Sequence, residues 1–88
     1  MAHYHIITYH PVENGFDDKS DHETYSEAKV AAKRLLTKDN PDFRYVEKVF
    51  ILHETKPFAK LMRVYDKDNR NGRRPFGIEK QDFNFTVI

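Results

Sequence analysis

The chain has 88 residues, of which 39% are hydrophobic and 33% charged, and its formal net charge is +1 with the histidines neutral. This length predicts one domain spanning residues 1–88, and seven Phe and five Tyr offer enough bulky side chains to exclude a wholly disordered chain. The absence of cysteine excludes disulfides, thiolate catalysis and cysteine-containing zinc sites.

The N-terminal third predicts one strand followed by a loop. Residues 4–10 are rich in Ile, Thr and Tyr, which favour strands, and Pro11 ends the ladder. Residues 12–23 contain Asn14-Gly15 and several acids but little apolar periodicity. We interpret them as an exposed loop.

A single amphipathic helix is predicted over about residues 25–38. Thr24 and Glu27 have the spacing of a capping box, in which the threonine oxygen accepts from the backbone amide three residues on. Apolar side chains recur at helical spacing on one face: Tyr25, Ala28, Ala32, Leu35 and Leu36.

Strand-forming residues return after the helix. In residues 44–54, β-branched and aromatic side chains would project alternately to the two faces of a strand. Residues 49–52 are apolar on both faces, which predicts a central strand. Residues 58–65 are predicted to form its hairpin partner, and residues 83–87 a last strand. The predicted fold class is therefore α+β, a small two-layer β-α-β-β-β domain in which one helix covers one face of an antiparallel sheet.

The second face of that sheet raises the question of self-association. Phe50 and Leu52 are predicted to project away from the face that holds Val49 and Ile51, whereas the helix can cover only one of the two faces. Either the C-terminal segment folds over the other face, or two copies pack together as a homodimer.

Charge is distributed unevenly along the chain. Residues 13–27 hold six acids and one base, a net −5, whereas residues 60–80 hold seven bases and three acids, a net +4. Residues 66–77 are polar and rich in turn formers, so we interpret them as a long loop or a hairpin tip. The basic loop 67–80 is the candidate binding site, and its candidate contact residues are Lys67, Arg70, Arg73, Arg74, Phe76 and Lys80. The alternative is a solvated loop whose arginines pair with the acidic segment.

No catalytic or metal-binding set is predicted. His3 and His5 share one side of the first strand, but a metal site needs a third ligand, and His22 or His53 can be placed only by a structure. We therefore predict no metal site. The sequence contains neither an HExxH motif nor a glycine-rich phosphate loop, and Ser20-Asp21-His22 are contiguous rather than gathered from separate elements.

These observations predict a non-enzymatic interaction or accessory module that self-associates or binds a protein partner through its sheet face and charged loops. A nucleic-acid-binding protein using the basic loop is the alternative, and a small nuclease-like enzyme is the third hypothesis. No cofactor, small-molecule ligand or membrane contact is predicted. The N-terminus lacks the pattern of a signal peptide, which favours a cytoplasmic location.

Overall fold

One antiparallel sheet and one helix make up the described part of the chain. The structure is a computed structural model that describes residues 3–10, 15–37, 40–41, 44–55 and 58–75. In chain order the elements are β1 (His3–His10), β2 (Gly15–His22), α1 (Tyr25–Arg34), β3 (Lys48–Thr55), β4 (Phe58–Asp66) and β5 (Asn69–Arg73). The sheet order is β2-β1-β3-β4-β5. The predicted α+β class is confirmed, and the predicted β-α-β-β-β order is present with β2 added after the first strand.

Two segments predicted as loops contain strands. Residues 12–23 were expected to be an exposed loop, but β2 pairs antiparallel with β1 along its whole length. Residues 66–77 were expected to be a long loop or hairpin tip, and β5 occupies residues 69–73 of that segment. Both strands lie at the edges of the sheet, and none of their residues is buried, so they need no apolar alternation.

The helix begins as predicted and ends earlier. The Thr24 hydroxyl accepts a hydrogen bond from the Glu27 amide at 3.2 Å, which confirms half of the capping box. The helix ends at Arg34, short of residue 38. Beyond it, the Thr37 hydroxyl donates to the Arg34 carbonyl, and the Asn40 amide donates to the Leu35 carbonyl. These side chains satisfy carbonyls that another helical turn would otherwise have bound.

The core lies on both faces of β3, as its apolar tetrapeptide predicts. On the helix face, Val49 and Ile51 pack in a cluster of buried side chains completed by Ile6, Ala28, Ala32, Leu36, Val46 and Tyr65. On the far face, Phe50 and Leu52 pack with Ile7 and Val64. The prediction that β3 is a central strand is confirmed by its position between β1 and β4.

The far face is already buried in one chain. Leu52 and Val64 are 0% exposed, Ile7 is 1% exposed and Phe50 is 5% exposed. A second copy is therefore not needed to remove these side chains from water, and the far-face cluster is not an exposed docking surface. The predicted strand over residues 83–87 lies outside the described residues. Within the described ranges, no helix combines the length and apolar character needed to cross a membrane.

Candidate functional site

The two edges of the sheet carry opposite charge. At one edge, β2 presents three aspartates, and Glu23 follows it in the next bend. The side chains of Asp17, Asp18 and Asp21 are 56%, 54% and 57% exposed. We call this the acidic edge, and it consists of Asp17, Asp18, Asp21 and Glu23.

At the other edge, β4 and β5 form a hairpin with a two-residue turn. Asp66 pairs with Asn69, and the Asp66 carboxylate accepts hydrogen bonds from the Asp68 and Asn69 amides. Gly72 has a φ of +80°, and it lies so close to the Tyr65 ring that a Cβ there would approach Tyr65 Cε1 to 2.6 Å. The Arg63 side chain donates to the carbonyls of Asn71 and Gly72, which fixes β5 against β4.

Lys60 and Arg74 are the exposed bases of this edge that have no hydrogen bond or ion pair with another described residue. An open cleft of about 720 Å³ lies beside them, and its lining is Tyr25, Ala59, Lys60, Leu61, Met62, Arg63, Arg74 and Pro75. Within the described residues, β5 pairs with β4 only at Val64 and Asp66. The first part of β4 therefore has an outer edge without a strand partner in that part of the chain. We call the cleft and this strand edge the basic edge.

The sequence-predicted binding residues do not act as one group. Lys67, Arg70 and Arg74 are exposed, and Lys67 and Arg70 each have a further interaction of their own. Arg73 forms an ion pair with Asp66 at 3.4 Å. Phe76 and Lys80 lie outside the described residues. Arg74 is thus the predicted residue that the structure brings into the cleft.

A histidine at the acidic edge is surrounded by carboxylates. His5 on β1 has its Nδ1 atom 2.6 Å from Asp21 Oδ1 and 3.6 Å from Asp18 Oδ2, both on β2. Its Nε2 atom is 3.0 Å from Glu54 Oε2 on β3. His5 and Glu54 are largely buried, with side chains 14% and 9% exposed. We call His5, Asp18 and Asp21 the His5 cluster.

A β-bulge brings the two aspartates together. In a regular strand, residues three apart project to opposite faces. The register between β1 and β2 shifts between Ile6 and Ile7, which oppose Ser20 and Asp18, so Lys19 is the extra residue. As a result Asp18 and Asp21 both lie on the far face, beside His5.

The electrostatics of the cluster follow from this crowding. Burial by itself lowers the pKa of His5, but the hydrogen bond to Glu54 and the charges of Asp21 and Asp18 outweigh it and raise the pKa above its usual value. Burial raises the pKa of Asp18, and the nearby negative charge of Asp21 raises it further, against the opposing effect of His5. The cluster therefore holds the Asp18 carboxylate close to a second negative charge, that of Asp21.

The remaining histidines on these strands lie elsewhere. His10 Nε2 lies 2.9 Å from the Thr8 hydroxyl and 3.1 Å from Asp17 Oδ2. His53 stacks on the Tyr4 ring, which also stacks on Tyr25 of the helix. His53, which the sequence offered as a possible third ligand for a His3–His5 site, thus lies on the helix face, on the other side of the sheet from His5.

Catalytic geometry is present only in fragments. The Ser20 hydroxyl and His22 Nε2 are 2.9 Å apart, and His22 lines a shallow depression with Ser26, Glu27 and Arg34. No orienting carboxylate for His22 is found among the described residues. The nuclease-like hypothesis stays a prediction.

Sequence reasoning missed the His5 cluster because it placed Asp18 and Asp21 in a loop. A strand with one apolar side chain, Phe16, gives no period-two signal. The pairing of β2 with β1, and not its composition, determines where the aspartates lie. The one available signal was the acidic density of the segment beside a histidine-rich strand.

The chain was compared with protein-family models, with curated proteins and with solved structures, and none of them matches it.

Proposed function

We propose that the protein is a small non-enzymatic interaction module that self-associates head to tail, with the acidic edge of one copy against the basic edge of the next. The observation that carries the proposal is the separation of charge across the sheet: exposed aspartates on β2 at one end, and, at the other, Lys60 and Arg74 beside a strand edge that has no partner strand among the described residues.

The layout of charge disfavours a symmetric arrangement. Two copies joined by their β2 strands would place aspartate beside aspartate, and two copies joined at Lys60 and Arg74 would place base beside base. Charged edge strands commonly prevent such pairing. Because the two edges carry charges of opposite sign, the same side chains favour contact between the acidic edge of one copy and the basic edge of another. Such a contact is heterologous.

The association is expected to be weak and sensitive to salt. An exposed ion pair contributes about 0.2–1 kcal/mol, so a few pairs with some backbone bonding correspond to a Kd near 1 mM, about 4 kcal/mol. The screening length falls from roughly 30 Å at 0.01 M salt to roughly 3 Å at 1 M. A cytoplasmic location is part of the proposal. A chain without cysteine forms no disulfides, and this fits a reducing compartment.

Light scattering and sedimentation with two charge-reversed variants test this arrangement. The pair Lys60→Glu and Arg74→Glu makes the basic edge acidic, and the pair Asp17→Lys and Glu23→Lys removes the net negative charge of the acidic edge. We expect each variant alone to stay monomeric at low salt, and an equimolar mixture of the two to associate. The matched control, Lys33→Glu with Arg34→Glu, changes the net charge by the same amount but on the helix, and it should associate like the original chain. A chain that is monomeric near 1 mM at low salt, or a control that dissociates equally, would refute the proposal.

Nucleic-acid binding is the second candidate, favoured by the exposure of Lys67, Arg70 and Arg74 on the β4–β5 hairpin. Each phosphate contact makes the slope of log K against the logarithm of salt concentration more negative by about 0.9 for a duplex. Gel shifts against single- and double-stranded DNA and RNA should then weaken strongly with Arg70→Glu and Arg74→Glu, and not with Arg34→Glu. The absence of any shift at low salt would end this candidate.

A further inference from the structure

We propose that His5, Asp18 and Asp21 form a binding site for a divalent transition-metal ion such as Zn²⁺. This site shares Asp18 and Asp21 with the acidic edge, but it does not depend on the self-association proposed above. Three potential ligand atoms, one from each residue, lie within 4.8 Å of one another. One comes from an imidazole and two from carboxylates, so the set is not a group of surface acids alone.

The central ligand is held in place. The Glu54 carboxylate lies 3.0 Å from His5 Nε2, and an ionised carboxylate can only accept there, so Nε2 donates. The other ring nitrogen, Nδ1, then faces Asp21 and Asp18. Metal-bound histidines in proteins commonly donate their second N–H to a carboxylate in this way, which fixes the ring and its tautomer.

Burial separates this arrangement from an ordinary surface ion pair. The side chains of His5 and Glu54 are 14% and 9% exposed, whereas Asp18 and Asp21 are more than half exposed. The site therefore has a rigid inner side and an open outer side. Zinc sites with three protein ligands keep a further position for water, whereas structural zinc sites are closed by four protein ligands.

Charge favours a dication over a proton. The imidazolium form of His5 supplies one positive charge to the two aspartates that face its Nδ1. A divalent ion in the same position supplies two, at a shorter distance from both carboxylates. One imidazole with two carboxylates is a borderline ligand set, which suits Zn²⁺ or Mn²⁺, whereas Mg²⁺ and Ca²⁺ prefer oxygen ligands alone.

The neighbouring His10 provides an internal comparison. His10 also lies beside an aspartate of β2, at 3.1 Å from Asp17, but the second neighbour of the same nitrogen is the Thr8 hydroxyl. No second carboxylate approaches it among the described residues, and no His10 group of ligands is found there. Asp17→Asn is therefore a matched control for Asp21→Asn on the same strand.

The experiment uses the full 88-residue chain at high salt, where edge-to-edge association is screened. After treatment with a chelator, ZnSO₄ is added to chain labelled with ¹⁵N at histidine, and affinity is measured by competition with a chromophoric chelator. We expect one ion per chain, a large shift of the His5 Nδ1 resonance, and a His5 Nε2 that stays protonated. MgSO₄ at the same concentration should leave His5 unchanged.

The variants decide the ligand assignment. Asp18→Asn, Asp21→Asn and His5→Gln should each weaken binding at least about tenfold, and Glu54→Gln about ten- to hundredfold through loss of ring orientation. Asp17→Asn should bind like the original chain. The proposal is overturned if Zn²⁺ shifts His10 or His22 in place of His5, if Asp17→Asn weakens binding as much as Asp21→Asn, or if Mg²⁺ binds equally well. The resonance shift in the unsubstituted chain keeps the test valid even if a variant fails to fold.

Discussion

The two edges of this sheet are held by different forces. The edge formed by the β4–β5 hairpin depends on shape, because Gly72 lies against the ring of Tyr65 and the Arg63 side chain donates to the β5 carbonyls. The acidic edge depends on polar pairing, because the β2 aspartates meet histidines of β1. One edge should therefore fail through steric change and the other through loss of hydrogen bonds, and this contrast can be measured.

The largest expected effect is at the edge formed by the β4–β5 hairpin. Gly72→Ala forces a side chain into a left-handed conformation and brings its Cβ to 2.6 Å from Arg63 Nε. A left-handed residue costs about 1–2 kcal/mol and overpacking about 1–3 kcal/mol, so we expect a loss of about 3 kcal/mol in unfolding free energy. Urea denaturation measures it. Asn71→Ala, on the exposed neighbour, should change stability little, and equal losses in both variants would contradict the steric account.

Tyr65 should make the same edge sensitive to alkali. Burial raises the pKa of Tyr65 to about 12, against a smaller opposing effect of Arg63. The unfolded phenol ionises near pH 10, so the stability that depends on the neutral form is fully present below pH 10 and is lost as the pH rises toward 12.

The size of this loss is about 2 kcal/mol, and Tyr65→Phe should abolish it. The Tyr65 hydroxyl is also a buried group without a hydrogen-bond partner of good geometry among the described residues, so its removal should not destabilise the chain at pH 7. Denaturation midpoints between pH 7 and pH 12 check both statements, in this variant and in Tyr45→Phe, whose ring is 58% exposed. Parallel curves for the original chain and Tyr65→Phe would show that Tyr65 is not responsible.

The smallest of these effects belongs to the acidic edge. Thr8→Val keeps the shape of a fully buried side chain but removes the hydroxyl that lies 2.9 Å from His10 Nε2. We expect a loss of about 1 kcal/mol, the usual net contribution of one hydrogen bond. Thr37→Val removes an exposed hydroxyl that donates to the Arg34 carbonyl and should cost less. A larger loss at Thr37 would show that burial does not strengthen the bond at Thr8.

The sequence was informative where side chains enter the core. Thr24 and Glu27 located the start of the helix, and the apolar run at residues 49–52 placed β3 in the middle of the sheet. Both signals arise because burial selects apolar residues at a fixed period. The edge strands lack that selection, so β2 and β5 were assigned to loops.

The candidate sites divide in the same way. The basic residues were recognisable as a charged segment, but sequence alone could not show that Arg73 pairs with Asp66 while Arg74 lies in the cleft. The His5 cluster depends on the register between β1 and β2, and register is a property of two strands together. No pattern within either segment reports it.

The bulge at Lys19 also determines where the chain can change length. Removing Lys19 would leave a regular ladder in which Asp21 still opposes His5 and Asp18 still opposes Ile7, so no side chain would change faces. Removing a residue elsewhere in β2, away from the bulge, would turn the residues before it to the opposite side. Lys19 is thus the point in this strand at which a one-residue deletion should be tolerated, while insertions and deletions nearby should be selected against.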